Sequence, residues 1–562
     1  MGADVVLRGG RVLDVFGGRF VNSDVAIREG RITGFHVQDA DTVYDASGAW
    51  ILPGLIDTHV HIESSHLAPN EFARVVVPHG TTAVIADPHE IANVFGSVGV
   101  RWMIDAAQKL PLRVFFMAPS CVPSCPFDAS GATLDAAAVR EMLSWDGILG
   151  LGEMMNYPGV LARDPEVWAK LDAARGRPID GHAPGLGGDA LSAYVAAGPR
   201  TDHESTTLAE ASEKLRAGMH VLMRDASSAR DIVSLLPLLG ERTAPFVHFC
   251  TDDRHAETIL EYGHIRSGVR QAIESGVPAP VAVAAASLYA ARAYGLSDLG
   301  AIAPGYRADL LVVDDLETLS VRNVFVDGRV VAGSDGSCTA ACPPHEGAVA
   351  RRSMNLEVSE AAFRIDAASH GSDTVTIRVI DVASDQILTG DSRASVCAVS
   401  GEIRADIGTD LLKAAVVERH RGTGRVGVGV VRGFGLQAGA IASSVAHDAH
   451  NIVVVGTNDR DMAAAVNRLA ALGGGQIVVR GGEVVSVMAL PIAGLMSERP
   501  AADVAAAERA LRDAAHQLGS PLGQPFMTLS FLALPVIPHL KLTDGGLVDV
   551  DRFERVSVIA SS

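Results

Sequence analysis

Cysteine is scarce in this chain. The six cysteines among 562 residues, Cys121, Cys125, Cys250, Cys338, Cys342 and Cys397, include no Cys-x-x-Cys pair. That argues against a disulfide framework or a thiolate metal site and leaves them as reduced thiols. No basic cluster offsets the formal net charge of -19, so nucleic acid and anionic membrane surfaces would be repelled. The N-terminus, Met1-Gly2-Ala3-Asp4-Val5-Val6, has neither the basic flank nor the apolar stretch of a secretory signal. The most apolar window, Val277 to Ala291, is interrupted early by prolines and is shorter than the roughly 18 to 20 residues a membrane span needs. These absences point to the cytoplasm. No solenoid-type repeat and no low-complexity linker divides the chain.

What is present describes an ordinary globular protein, with 48% hydrophobic and 20% charged residues and enough length for about three domains. Residues 4 to 50 alternate apolar and polar positions in short runs separated by Gly9-Gly10, Gly17-Gly18 and Gly30, the pattern of small antiparallel strands. It returns in Ala308 to Val313 and Val324 to Val331. The simplest account is a composite β-sandwich built from residues 1–53 and 303–345. The inserted residues 54–302 come close to the roughly 250 of a (β/α)8 barrel. Residues 346–562 read as a C-terminal α+β domain, with strands at Thr374 to Val382, Ser395 to Val399, Asn451 to Gly456 and Gln476 to Val479 and a helix over Asp459 to Leu472. The expected fold class is therefore α/β, a TIM barrel inserted in a small sandwich, with a further domain behind it.

Eight short apolar runs inside the insert are predicted to be strands: Gly54 to His61, Thr82 to Asp87, Arg113 to Met117, Ile148 to Glu153, Ile179 to His182, Thr201 to His203, His220 to Arg224 and Phe246 to Asp252. Helix-like stretches such as Leu134 to Trp145 and Leu208 to Ala217 alternate with them, so the sheet should be parallel. Catalytic groups gather at the carboxyl ends of barrel strands. Most of these runs finish there on His, Asp or Glu.

His59 and His61 stand two residues apart, so on a strand both imidazoles face one way and can hold one metal. Glu153, His182, His203 and Asp252 end four further runs. Six nitrogen and oxygen donors on five strands, without a thiolate, make a metal centre suited to manganese, iron(II) or zinc.

The chain resembles the amidohydrolase superfamily through Pro53-Gly54-Leu55-Ile56-Asp57-Thr58-His59-Val60-His61, His182, His203, Asp252 and Pro304-Gly305-Tyr306-Arg307-Ala308-Asp309-Leu310. Within it, the bacterial adenine deaminases are resembled through His61-Ile62-Glu63-Ser64-Ser65, Ala86-Asp87-Pro88-His89-Glu90-Ile91-Ala92-Asn93, Gly152-Glu153-Met154-Met155-Asn156, Asp180-Gly181-His182-Ala183-Pro184-Gly185, Asp202-His203-Glu204, Thr251-Asp252-Asp253-Arg254 and Ser443 to Asn451. The resemblance covers nearly the whole chain. It implies two divalent ions per subunit, manganese or iron(II) ahead of zinc, and hydrolysis of adenine to hypoxanthine and ammonia by a homo-oligomer. His59 and His61 would hold one ion with Asp252, and His182 and His203 the other. Glu153 would stand where many amidohydrolases carry a carbamylated lysine.

Mononuclear purine deaminases of the superfamily place an acidic residue shortly after the fifth-strand histidine. Here Ala183-Pro184-Gly185 follows His182, so Glu90 is expected to protonate the purine as a carboxyl group of raised pKa. Asp252 would shuttle the water's proton, and His89 would assist Glu90. Asp87, Ser64 and Asp253 are expected near the substrate. His447, Asp448 and His450 could border the active site or bind a further cation, but a solvated turn is the expected setting. The Pro-Cys-x-x-Cys signature of the other zinc nucleobase deaminases is absent. The same centre could also open a cyclic amide or cleave an N-acyl group.

Overall fold

Each of the eight apolar runs forms a strand in the computed structural model, which describes residues 2–35, 39–228, 230–347, 353–368, 374–384, 386 and 388–560. Leu55–Val60, Thr81–Ala86, Arg113–Ala118, Ile148–Met154 and Ile179–Gly181 lie side by side in parallel. Thr201–Asp202, His220–Arg224 and Val247–Cys250 form a second parallel arc. The two arcs close into a barrel. On one side Val60 bridges Asp252, with Asp252 N–H donating to His59 O (3.0 Å) and His61 N–H to Asp252 O (3.3 Å). On the other, Arg200 N–H donates to Ile179 O (3.0 Å) and Gly181 N–H to Thr201 Oγ1 (3.1 Å). Helices such as Ala136–Met142 and Leu208–Arg216 cross between strands. Covered on both faces, strands such as Thr81–Ala86 are buried throughout, which is why they read as unbroken apolar runs rather than as alternation.

Strands from before and after the barrel join in one eight-stranded sheet. Leu310–Val313 pairs with Trp50–Pro53, which pairs with Ala3–Asp14. The small core there is Leu7, Ile27, Ile51, Leu310 and Phe325. Arg113 ties this sheet to the barrel through Asp309 (2.7 Å) and Asp327 (2.6 Å).

The C-terminal part centres on another eight-stranded sheet, from Thr374–Asp381 to Glu483–Ala489. Helix Asp459–Leu472 begins at Asn458, whose side chain accepts Asp461 N–H, and stops at Gly473, whose φ of 81° suits glycine. Its Met462, Ala465, Val466 and Leu469 pack on Val454, Ile477 and Val479. This part of the chain lies over the carboxyl end of the barrel. Asn451 Nδ2 donates to Ala129 O (2.8 Å), Leu67 bridges Ser497, and His66 Nδ1 is 2.8 Å from Glu508 Oε1 on helix Ala501–Gln517. Among the described residues no helix is long and apolar enough to cross a membrane.

Candidate metal centre and catalytic cleft

The barrel mouth brings the six candidate ligands together. His59 and His61, on one face of the first strand as their spacing requires, have Nε2 atoms 3.2 Å apart. Glu153, at the end of the fourth strand, lies between two pairs of histidines. Its Oε1 is 3.3 Å from His61 Nε2 and 3.7 Å from His59 Nε2, while its Oε2 is 2.6 Å from His182 Nδ1 and 3.4 Å from His203 Nε2. Asp252 Oδ1 faces the first pair, at 3.2 Å from His61 and 3.7 Å from His59. His182 and His203 directly follow the fifth and sixth strands, where ladder hydrogen bonding ends and side chains turn into the mouth.

Neighbouring groups set these orientations. His61 Nδ1 pairs with Asp87 O (2.9 Å), which makes Nδ1 the protonated nitrogen and leaves the Nε2 lone pair free. Asp87 Oδ2 accepts the Glu153 N–H (2.9 Å), and it comes so close that a Cβ on Gly152 would stand 2.2 Å from it. Asp87, expected beside the substrate, thus braces the Glu153 strand beneath the cleft. Asp252 has a φ of 53°, a left-handed conformation rare outside glycine and found at functional positions. Arg224 Nη1 lies 3.1 Å from Asp252 Oδ2, so Oδ1 alone faces the imidazoles. Arg224 also pairs with Glu204 and Asp231.

Burial alone would raise Glu153 and Asp252. His182, His203 and His61 around Glu153, and His61, His203 and Arg224 around Asp252, outweigh it and hold both well below the usual carboxylate range. Burial would depress His203, yet Glu153 and Asp252 push it up to about 9. Two carboxylates interleaved with four crowded imidazoles form a donor set, all nitrogen and oxygen, in which a metal cation can take the place of the histidine protons. Glu153 turns one carboxylate oxygen to each histidine pair, and the clustered donors suit metal binding.

The expectation for Glu90 is corrected by the histidines around it. Glu90 sits in the first turn of helix His89–Ala107 and is 1% exposed. Its Oε1 is 2.7 Å from His447 Nδ1 and 3.4 Å from His89 Nε2, and its Oε2 pairs with His450 Nε2. Burial works to raise its pKa, but His447, His450 and His89 prevail and hold it well below the usual range. The proton rests instead on His447, where burial is overcome by Glu90 and Asp253 and the pKa reaches about 9; burial takes His450 down to about 4. The turn expected in solvent is likewise buried, with His447, Asp448 and His450 exposed by 5%, 3% and 1%. His447 and Asp448 line the cleft, and His450 pairs with Glu90. His89 spans the two halves of the site, with Nδ1 3.4 Å from Glu153 Oε1.

Residues 50–331 match the amidohydrolase family, and residues 386–554 match the adenine deaminase C-terminal domain. The chain is 48% identical over 558 residues to an adenine deaminase of Desulfatibacillum aliphaticivorans, covering 99% of this chain and 97% of that protein. It belongs to the adenine deaminase family of amidohydrolases. An adenine deaminase of Brucella anthropi is 48% identical over 554 residues, covering 98% of this chain and 97% of its own. One of Nitratidesulfovibrio vulgaris is 47% identical over 562 residues, covering 99% and 96%. Amidohydrolases are metal-dependent hydrolases, in keeping with the donor set.

In this family member a partly open cleft lies beside the candidate ligands. Glu90, Asp253, Asp448, Glu204 and Ser228 supply polar edges, and Met155, Phe531, Leu534, Val536 and Ile537 an apolar wall. Asp253 lines it; Ser64 does not, and instead donates from Oγ to Asp253 Oδ1 (2.5 Å) from an adjoining cavity. Glu204, Arg224 and the wall from Phe531 to Ile537 escaped sequence reasoning. Arg224 could have been found as a cation ending a barrel strand, whereas the wall carries no local signal because it lies some three hundred residues downstream.

Proposed function

We propose that the protein hydrolyses adenine to hypoxanthine and ammonia in this cleft. His59, His61 and Asp252 would hold one divalent cation and His182 and His203 a second, with Glu153 between them; the donors suit manganese, iron(II) or zinc alike, and the resemblance to adenine deaminases puts the first two ahead. When bound, such a pair lowers the pKa of water from 15.7 toward about 7 and so supplies hydroxide at neutral pH. Asp252 is ionised, with one oxygen occupied by Arg224 and the other facing the imidazoles. It takes the attacking water's proton and returns it to the leaving amine. Glu90, ionised at rest, relays a proton from His447 to purine N1. The C6–N bond breaks and a C6–O bond forms; one hydrogen of the water ends on ammonia, and the other, shed by the C6 hydroxyl, returns through Glu90 to His447 in place of the proton given to N1.

The observation that carries this reading is the buried Glu90–His447 pair on the same cleft as the ligand cluster. A cyclic-amide or N-acyl hydrolase attacks a carbonyl carbon that is already electrophilic. A purine C6 becomes so only when its ring nitrogen is protonated. Metal-reconstituted protein should release ammonia from adenine and leave adenosine, guanine and dihydroorotate unchanged, followed by ammonia assay and ultraviolet spectrum. Inactivity on adenine with ring opening of dihydroorotate overturns the proposal.

The wall of Phe531, Leu534 and Ile537 offers a planar base an apolar face. Phe531→Ala is expected to raise KM for adenine by about tenfold, the effect of losing one aromatic contact, with metal content unchanged. An unaltered KM removes Phe531 from the binding site.

A further inference from the structure

We propose that Cys338 and Cys342 form a peroxide-reactive dithiol site, in which Cys338 attacks the peroxide, Cys342 resolves the product, and a reversible disulfide closes between them. The two sulfurs are 3.8 Å apart, in a strap that leaves the composite sheet after Arg329–Ala332 and runs toward the barrel helices. Both ends of the strap are held. Cys338 bridges Ala332 and Thr339 N–H donates to Val331 O (2.8 Å), while Arg74 Nη2 donates to Cys342 O (3.2 Å) and Trp102 Nε1 to Gly347 O (3.0 Å). Both thiols are within reach of Ala340 O, at 3.8 Å each. The pair is thus held near contact, and the sulfurs need only close to the about 2.05 Å of a disulfide.

Exposure divides the roles. Cys338 is half-buried and open to a small oxidant, whereas Cys342 is 4% exposed. Acidity agrees with that division. The hydrogen bond from Cys342 lowers the Cys338 thiol, against burial, to about 7, with Arg74 adding to the effect, and the same bond raises Cys342. The thiolate is the nucleophile in such reactions. Cys338 thiolate attacks one oxygen of a hydroperoxide, the O–O bond breaks, and an alcohol or water departs, leaving Cys338 sulfenic acid. Cys342 sulfur then attacks Cys338 sulfur, the S–O bond breaks and water leaves. Two thiols lose two electrons and two protons, and one peroxide is reduced. Cys121, Cys125 and Cys250 are buried, and Cys397 is exposed, which makes Cys397 the internal reference.

The test treats the zinc-loaded full-length protein with hydrogen peroxide, zinc keeping redox-active metal out of the assay, and follows it by peptide mass mapping. Both cysteines lie in the single tryptic fragment 330–351. That fragment should lose two hydrogen atoms and resist alkylation, at a rate at least about tenfold above oxidation of Cys397, and dithiothreitol should restore it. Cys342→Ser should trap Cys338 as a sulfenic acid that dimedone captures, and Cys338→Ser should abolish the reaction. Oxidation of Cys397 while the fragment keeps both thiols overturns the proposal, as does conversion of Cys338 to the sulfinic acid with Cys342 still free.

Discussion

Glu153→Ala is expected to leave the protein unable to retain its cations and without measurable adenine turnover. Among the described residues Glu153 is the one carboxylate whose two oxygens face both histidine pairs, 3.3 Å from His61 on one side and 2.6 Å from His182 on the other. Removing it leaves His59, His61, His182 and His203 crowded together, with Asp252 beside the first pair and, beside the second, only Glu204, which Arg224 already neutralises. Loss of groups that merely support metal ligands costs about 10 to 100-fold in affinity; loss of a shared ligand should exceed that, and turnover should fall by more than about 10³-fold. Metal analysis of reconstituted, desalted protein together with ammonia release checks it, with circular dichroism confirming that the barrel is intact. A variant that still carries two equivalents of metal and turns over adenine within tenfold of the parent rules out the bridging role.

Glu90→Gln separates metal binding from proton delivery. The carboxylate lies beyond the six candidate ligands and is held by His447, His450 and His89, so the variant should keep its metal content while losing about 10² to 10⁴-fold in turnover, the range of a general acid. Because Glu90 draws its proton from His447, His447→Gln should impair turnover too, and the double variant should be little worse than either single one, since the two act as a unit. The pH dependence follows in sign. His447 is raised to about 9 in the folded protein, so the pair keeps its proton below that pH and loses it as pH rises through about 9. Turnover should therefore decline on the alkaline side, and that decline should move to lower pH when Glu90, the group that raises His447, is neutralised. Unchanged turnover in Glu90→Gln eliminates Glu90 as the donor.

Strand positions were legible because parallel strands are buried on both faces and short: all eight predicted runs overlap observed strands, and His220–Arg224 agrees at both ends. The sixth strand, Thr201–Asp202, is very short and was traceable from its place in the alternation and its terminal His203. The His59–His61 geometry was legible for a simpler reason, since a period of two puts both side chains on one face. Glu90 was misjudged because its surroundings come from residues 447 to 450. A carboxyl group at a helix start says nothing about which histidines a later domain will press against it, and three of them reverse the direction in which burial alone would shift it. Asp87 and Ser64 were placed by sequence proximity to the ligands, yet Asp87 turns beneath the cleft to Glu153 N–H and Ser64 turns to Asp253.

By itself the sequence determined the donor types and their strand-end spacing, because side-chain chemistry and backbone periodicity are local properties. Only the tertiary structure decided that Glu153 lies between the two histidine pairs, that Arg224 occupies one oxygen of Asp252, and that His447 rather than Glu90 carries the proton. Each of those outcomes depends on charges brought within about 4 Å from elements far apart in the chain, where the interaction is strong enough to decide protonation.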